Sequence, residues 1–183
     1  MHLVRNQTNA ATGVGNAAYA TTEEMRAIFT GDFEFLYWIA RVITGEPGLA
    51  QRAMERVKHI NESGRPPFRD WLFHWARMTV ARASAREVQG PILAAASRYM
   101  STACSHELHE LLNAEQFATL GAIDISRFIA ELDPLVRAML VLRGILHCSI
   151  FECAIVLNTP ARCANMAYCK ALQWVKAQGV VLQ

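Results

Sequence analysis

The chain lacks any long uninterrupted apolar run. Its longest, around residues 138–157, is broken by Arg143, His147 and Glu152, so no membrane-spanning helix is expected. The first twenty residues are rich in Asn, Ala, Gly and Thr and lack the apolar centre of a secretory signal. Charge of one sign is also scarce, since 18 Lys and Arg against 16 Asp and Glu leave a formal net charge of +2. That excludes a protein that holds nucleic acid by bulk charge, so any DNA contact must come from a local basic surface. The five cysteines (Cys104, Cys148, Cys153, Cys163, Cys169) form no C-x-x-C pair and no regular framework. An odd, unpatterned set fits a reducing cytoplasm. Phosphate-cradling G-x-x-x-x-G-K-[ST] loops and G-x-S-x-G elbows are absent, so an enzyme is not expected, and no cofactor is implied.

What is present is a chain that is 52% hydrophobic with only 6 Pro and 10 Gly, so most of it should fold. No stretch alternates with period two long enough to make a strand, and the reading is all-α. Thr21-Thr22-Glu23-Glu24 spells a capping box and starts a short helix to Phe29. Gly31-Asp32 restarts a second helix carrying Phe33, Leu36, Tyr37, Ala40 and Ile43, which Gly45 ends. Pro47 suits the first turn of a third helix, and Asn61 to Pro67 reads as a loop. A long helix follows from about Phe68 to Glu87, with Trp71, Leu72 and Trp75 on one side and Arg69, Arg77, Arg82 and Arg86 as its basic residues. The Trp71-Leu72 side is expected to face the core. Gln89-Gly90-Pro91 is a break, and the weakly patterned residues beyond it read as a connector with short helices.

The last quarter carries the strongest local signals. Leu132-Asp133-Pro134-Leu135 opens a helix running through Arg143. Ser149-Ile150-Phe151-Glu152 starts a short apolar helix ending near Leu157, Asn158 makes a turn, and Thr159-Pro160 begins a final amphipathic helix to about Lys176. A short helix, a tight turn and a longer helix are the parts of a helix-turn-helix. The pattern therefore divides into a tail (1–20), an N-terminal bundle (21–88), a partly helical linker (89–122) and a C-terminal helix-turn-helix domain (123–183).

These residues resemble the extracytoplasmic-function sigma factors, the small two-domain initiation subunits of bacterial RNA polymerase. The resemblance covers Phe29 to Glu87 for a sigma-two-like domain and Ile125 to Lys176 for a sigma-four-like domain. Leu36-Tyr37-Trp38-Ile39-Ala40-Arg41 and Thr44-Gly45-Glu46-Pro47 match the family's second helix and following loop. Phe68 to Arg77 looks like its promoter-melting helix, and Leu132, Pro134, Leu142-Arg143, Ser149, Glu152, Ala154 and Leu157 follow in register in the second domain. The resemblance implies binding to polymerase core and promoter DNA, with an anti-sigma factor as a further partner. The chain departs from the family at Leu49, Gln51 and Arg52, where an acidic cluster is usual, and at Met78 and Arg82, where Asn and Asp are usual. It also carries Ala164-Asn165-Met166-Ala167 in place of a basic, hydroxylic run. An alternative therefore stands beside the first: a sigma mimic or interaction module that binds a protein partner without reading promoters.

The candidate DNA contacts are Arg69, Arg77, Arg82 and Arg86 on the aromatic-basic helix, with Arg162, Asn165, Lys170 and Lys176 on the last one. On that last helix Ala164, Tyr168, Leu172 and Val175 form the inward stripe, while Arg162, Asn165, Cys169, Gln173 and Lys176 lie outward. Gln51, Arg52 and Glu55 are the candidate partner-binding residues. Cys104, His106 and His109 have ligand chemistry but neither metal-site spacing nor a local fourth ligand, so no metal site is assigned.

Overall fold

A computed structural model describes residues 18–63, 66–100 and 124–178. The cluster at Cys104, His106 and His109, much of the expected linker and most of the expected tail lie outside them. Among the described residues the chain is all-α, and the one β-type contact is an isolated antiparallel bridge between Tyr19 and Phe68.

Helix α1 (Thr22–Gly31) begins as its sequence dictates. The Thr21 hydroxyl accepts the Glu24 N–H at 3.1 Å, and the Glu24 carboxylate accepts the Thr21 N–H at 2.8 Å. Helix α2 (Phe33–Thr44) ends on Gly45, whose φ of 81° is the left-handed cap that glycine adopts without strain. Helix α3 (Pro47–Ser63) runs further than expected, into the first three residues of the Asn61 to Pro67 segment. Residues 18–20 are not a tail: Ala20 donates to the Pro67 carbonyl, Arg69 donates to that of Ala18, and Tyr19 stacks on Phe68 at 4.7 Å.

The next helix also starts later than its pattern suggests. Arg69–Trp71 forms a 3-10 turn, and helix α4 is Leu72–Glu87. The tighter turn changes the angular phase, so Leu72 points inward while Trp71 is 63% exposed, against the expectation that both face the core. Val88 breaks the chain for a single residue. Helix α5 (Gln89–Tyr99) then starts with Pro91 in its first turn, where a missing N–H costs nothing. The weakly patterned linker is thus a core helix at its start, burying Ile92, Ala95, Ala96 and Tyr99.

Helix α6 (Ile125–Glu131) leads to α7 (Pro134–Met139), capped by the Asp133 carboxylate on the Val136 N–H and continued by a π-helical turn, Leu140–Ile145. Every residue from Leu135 to Leu142 is buried, which makes this the central element. Helices α8 (Ile150–Leu157) and α9 (Ala161–Ala177) complete the described chain. One contiguous hydrophobic core includes Leu36 of α2, Val80 of α4, Ile92 of α5, Leu135 of α7, Leu157 of α8 and Tyr168 of α9. Helix α2 packs on α7, α4 on α8, and α5 on both α7 and α9, so the core runs across the expected boundary between 88 and 89.

The Gly45 cap abuts this centre. A Cβ there would stand 2.8 Å from Nη2 of the buried Arg137, whereas one at Gly31 would meet nothing within 4 Å. Gly45→Ala should therefore lose at least about 1 kcal/mol in urea unfolding, and Gly31→Ala, at the end of α1, should be neutral or gain up to about 1 kcal/mol.

Candidate functional site

The C-terminal helix pair takes the form that its caps encode. The Ser149 hydroxyl accepts the Glu152 N–H at 3.2 Å, and Glu152 Oε2 accepts the Ser149 N–H at 2.7 Å. That backbone donor holds the Glu152 carboxyl below its usual range, helped by the Ser149 hydroxyl and the nearby His74 and Arg82 charges. Asn158 stops α8 in the left-handed region (φ 50°, ψ 49°), and the Thr159 N–H turns back to the Ala154 carbonyl at 3.0 Å. Pro160 then precedes the first turn of α9.

On α9, Ala164, Tyr168, Leu172 and Val175 are buried as expected, while Arg162, Gln173 and Lys176 are exposed and Asn165 is half-buried. Cys169, expected on the outer face, is only 6% exposed, and Met166 is equally buried. The open face is therefore a narrow stripe with its polar start at Arg162 and Asn165. Lys170 is exposed at its end but lies 4.8 Å over the Tyr99 ring, a cation–π contact that ties α9 to α5.

The basic residues around α4 divide into two groups. Arg69 pairs with Glu24 at 2.9 Å, and Arg77 bonds Asp32 at 3.2 Å while lying 4.7 Å over the Phe35 ring. Arg82 and Arg86 are exposed. At the start of the helix Trp71 and Phe73 are exposed aromatics, with His74 against the Trp71 ring at 5.5 Å. Half of the expected cations there already serve a carboxylate.

The candidate partner residues also separate. Gln51 donates to Glu55 at 3.0 Å, and both line a groove of about 750 Å³ between α1, α2 and α3. Arg52 instead pairs with Glu87 of α4 at 3.1 Å, next to Arg56 at 2.7 Å. The groove walls are Met25, Phe29, Phe33, Tyr37 and Met54, with Phe33 and Tyr37 stacked. The sequence reading missed it, although Met25, Phe29, Phe33 and Tyr37 recur every four residues; the bend at Asp32 is what sets two of them on each of two helices.

A second feature without a sequence signal lies between α4 and α8. Cys148 Sγ stands 3.2 Å from Met78 Sδ, and the Cys153 thiol is directed at the Cys148 carbonyl at 4.0 Å. The Cys153 thiol lowers the Cys148 pKa, and the Cys148 thiol together with burial raises that of Cys153. Arg143 Nη1 donates to the Cys148 carbonyl at 3.0 Å. Among the described residues no group of three His, Cys, Asp or Glu side chains converges as a metal site, and no helix is long and apolar enough to cross a membrane.

No protein-family profile, no curated protein and no solved structure matches this chain. Its function has to be argued from its own surfaces.

The Ser149–Glu152 box offers a direct check on the first of these surfaces. Ser149→Ala should cost about 1 kcal/mol of stability at neutral pH. Because the Glu152 pKa is depressed on folding, its contribution is full above the unfolded pKa and is lost as pH falls through the folded one. Acid unfolding of Glu152→Gln should lack that component, seen as a smaller difference in unfolding midpoint between neutral and acid pH than in the parent chain.

Proposed function

We propose that this chain is a non-catalytic, sigma-like transcription initiation factor of the cytoplasm that engages RNA polymerase core and promoter DNA. On this reading residues 21–88 act as the sigma-two-like module and 123–183 as the sigma-four-like module, closed on one another through the shared core. The observation that carries it is the α8–Asn158–α9 unit, with Arg162 and Asn165 at the accessible start of the second helix. Residues in that position reach base edges when such a helix enters the major groove, Arg towards guanine and Asn towards adenine. Lys176, Lys170, Arg82 and Arg86 supply phosphate contacts, which position without specifying. Gln51 and Glu55 at the α3 groove are the polymerase-facing candidates, and the exposed Trp71 and Phe73 are stacking platforms for an opened strand.

One set of observations favours the sigma-mimic reading. Arg69 and Arg77 are engaged by Glu24 and Asp32, and most positions of α9 are committed to the core. A protein partner, an anti-sigma factor among the candidates, would then be met through the apolar groove without promoter reading.

Retention on purified core polymerase, followed by run-off transcription from a genomic promoter pool, separates the two. The initiation reading expects both retention and transcripts; neither would end it, and retention without transcripts would favour the mimic. Where a promoter is found, Arg162→Ala or Asn165→Ala should cost about 1–3 kcal/mol of discrimination at one base pair. Lys176→Ala should weaken binding to all sequences alike and reduce the salt dependence by about one phosphate contact.

A further inference from the structure

The groove between α1, α2 and α3 is a concavity of about 750 Å³ with apolar walls and a charged rim. Met25 and Phe29 of α1, Phe33 and Tyr37 of α2, and Met54 of α3 form the walls. Phe33 is 50% exposed although it stacks on Tyr37, with ring centroids 5.9 Å apart and planes within 8°. Phe29 meets Trp75 edge-on at 6.1 Å, which anchors that wall to α4. Small-ligand sites are concave and mostly apolar, span about 300–1,000 Å³ and carry a few polar groups that fix orientation. The two methionines supply wall that adapts to an unbranched chain.

The rim gives the ligand its sign. Among the described residues lining the groove, Arg26 and Lys58 are cationic and Glu55 is the one carboxylate, so two charges against one leave a net +1. Glu55 is turned along its own helix, where it accepts the Gln51 amide at 3.0 Å. Nearby arginines have carboxylate partners: Arg52 and Arg56 meet Glu87, and Arg69 meets Glu24. Among the described residues neither Arg26 nor Lys58 forms an ion pair. An apolar groove with one surplus positive charge at its rim is complementary to a monoanion with an apolar tail.

We infer that this groove binds a single-chain fatty carboxylate, its tail between the aromatic and methionine walls and its headgroup at Arg26 and Lys58. A multiply charged headgroup exceeds the net charge that the rim offers, and a cationic amphiphile meets two like charges. The site needs only the groove and its rim, so it stands whether or not the chain binds polymerase. A bound tail would withhold these walls from a protein partner, which gives the ligand control over any interaction made there.

The test is isothermal titration of the full chain with dodecanoate below its micelle concentration. One equivalent should bind saturably. Decanoate and octanoate should bind more weakly by about four-fold for each methylene removed, as burial of the tail requires. Dodecylammonium, with the same tail and the opposite charge, should bind at least about ten-fold more weakly than dodecanoate. Arg26→Gln and Lys58→Gln should each weaken dodecanoate by about three- to five-fold and leave dodecylammonium unchanged or tighter. Phe33→Ala should weaken both amphiphiles by roughly ten-fold. Phe151→Ala, which removes another exposed aromatic away from the groove, should change neither. Arg26, Lys58 and Phe33 are all exposed, so these variants should keep the parent's urea midpoint closely enough to be compared. The proposal is overturned if dodecanoate does not saturate at one equivalent or if dodecylammonium binds as tightly. It is equally overturned if the double variant Arg26→Gln with Lys58→Gln binds dodecanoate like the parent, or if Phe151→Ala weakens binding more than Phe33→Ala.

Discussion

A single buried guanidinium, that of Arg137, sets the arrangement of everything around it. It sits at 5% exposure in the central α7, where Nη1 donates to the Leu132 carbonyl at 2.8 Å and the Ile129 carbonyl at 3.3 Å. Those carbonyls belong to the end of α6 and the residue capping it, groups a helix terminus leaves without internal partners. Nη2 lies against Gly45, the left-handed cap that ends α2. One side chain thus joins the end of α6, the start of α7 and the end of α2. Burial lowers the Arg137 pKa while the Asp133 charge opposes that, and the group stays charged because a guanidinium does not lose its proton in proteins. Removing it would leave two carbonyls unpaired, and a Cβ at position 45 would force the guanidinium or the cap to shift. Glycine at 45 is therefore required twice, by its φ and by the guanidinium that occupies its Cβ space.

From that centre the order propagates outward by hydrogen bonds that each satisfy a helix end. Asp133 caps α7 through the Val136 N–H and accepts the Tyr99 hydroxyl from α5 at 2.5 Å. Burial raises the Tyr99 pKa, and the carboxylate it donates to raises it further, so the phenol stays protonated and remains a donor. At the other end of α5, Gln89 donates to the Leu157 carbonyl at 2.8 Å, closing the C-terminus of α8. The helix-turn-helix is consequently not a free module on a string. Its first helix is fixed at both ends, by the Ser149 box and by Gln89, and its second is tied to α5 through Lys170 and Tyr99. The exposed stripe of α9 is thereby given a defined direction relative to α4.

What was legible in the sequence is what physics makes local. Thr21 with Glu24, Gly45, Pro47, Ser149 with Glu152, and Asn158 each act within a few residues, and each ends or begins a helix where its chemistry demands. Burial of α5 was not legible, because three consecutive alanines among its residues carry little periodic contrast until α7 and α9 surround them. Trp71 was misplaced because a 3-10 turn shifts helical phase, and the cause lies before it, in the pairing of residues 18–20 with Pro67 to Arg69. Cys169 was misplaced because a small apolar side chain fits either face of a helix. The ion pairs of Arg69 and Arg77 each reach back 45 residues in sequence, a separation that no window on the pattern can see.

Those two ion pairs decide how strongly any polyanion could be held. Arg77 and Asp32 are both partly shielded from solvent, and Phe35 lies beneath the guanidinium. Moving such an arginine to a phosphate exchanges one charge-assisted bond for another and strands the carboxylate, so the net gain is small. The other expected contacts Arg82, Arg86, Arg162 and Lys176 are exposed. Each phosphate neutralised steepens the dependence of affinity on salt by about 0.9 in logarithmic slope, so four contacts give a modest slope. A chain of net charge +2 built this way would hold DNA weakly by itself. Tight occupancy then requires a second binding event on the same molecule, because two linked weak contacts multiply where each alone fails. The groove between α1, α2 and α3 and the open stripe of α9 belong to helices that share one contiguous core, so a partner held at the groove would present the stripe in a fixed direction.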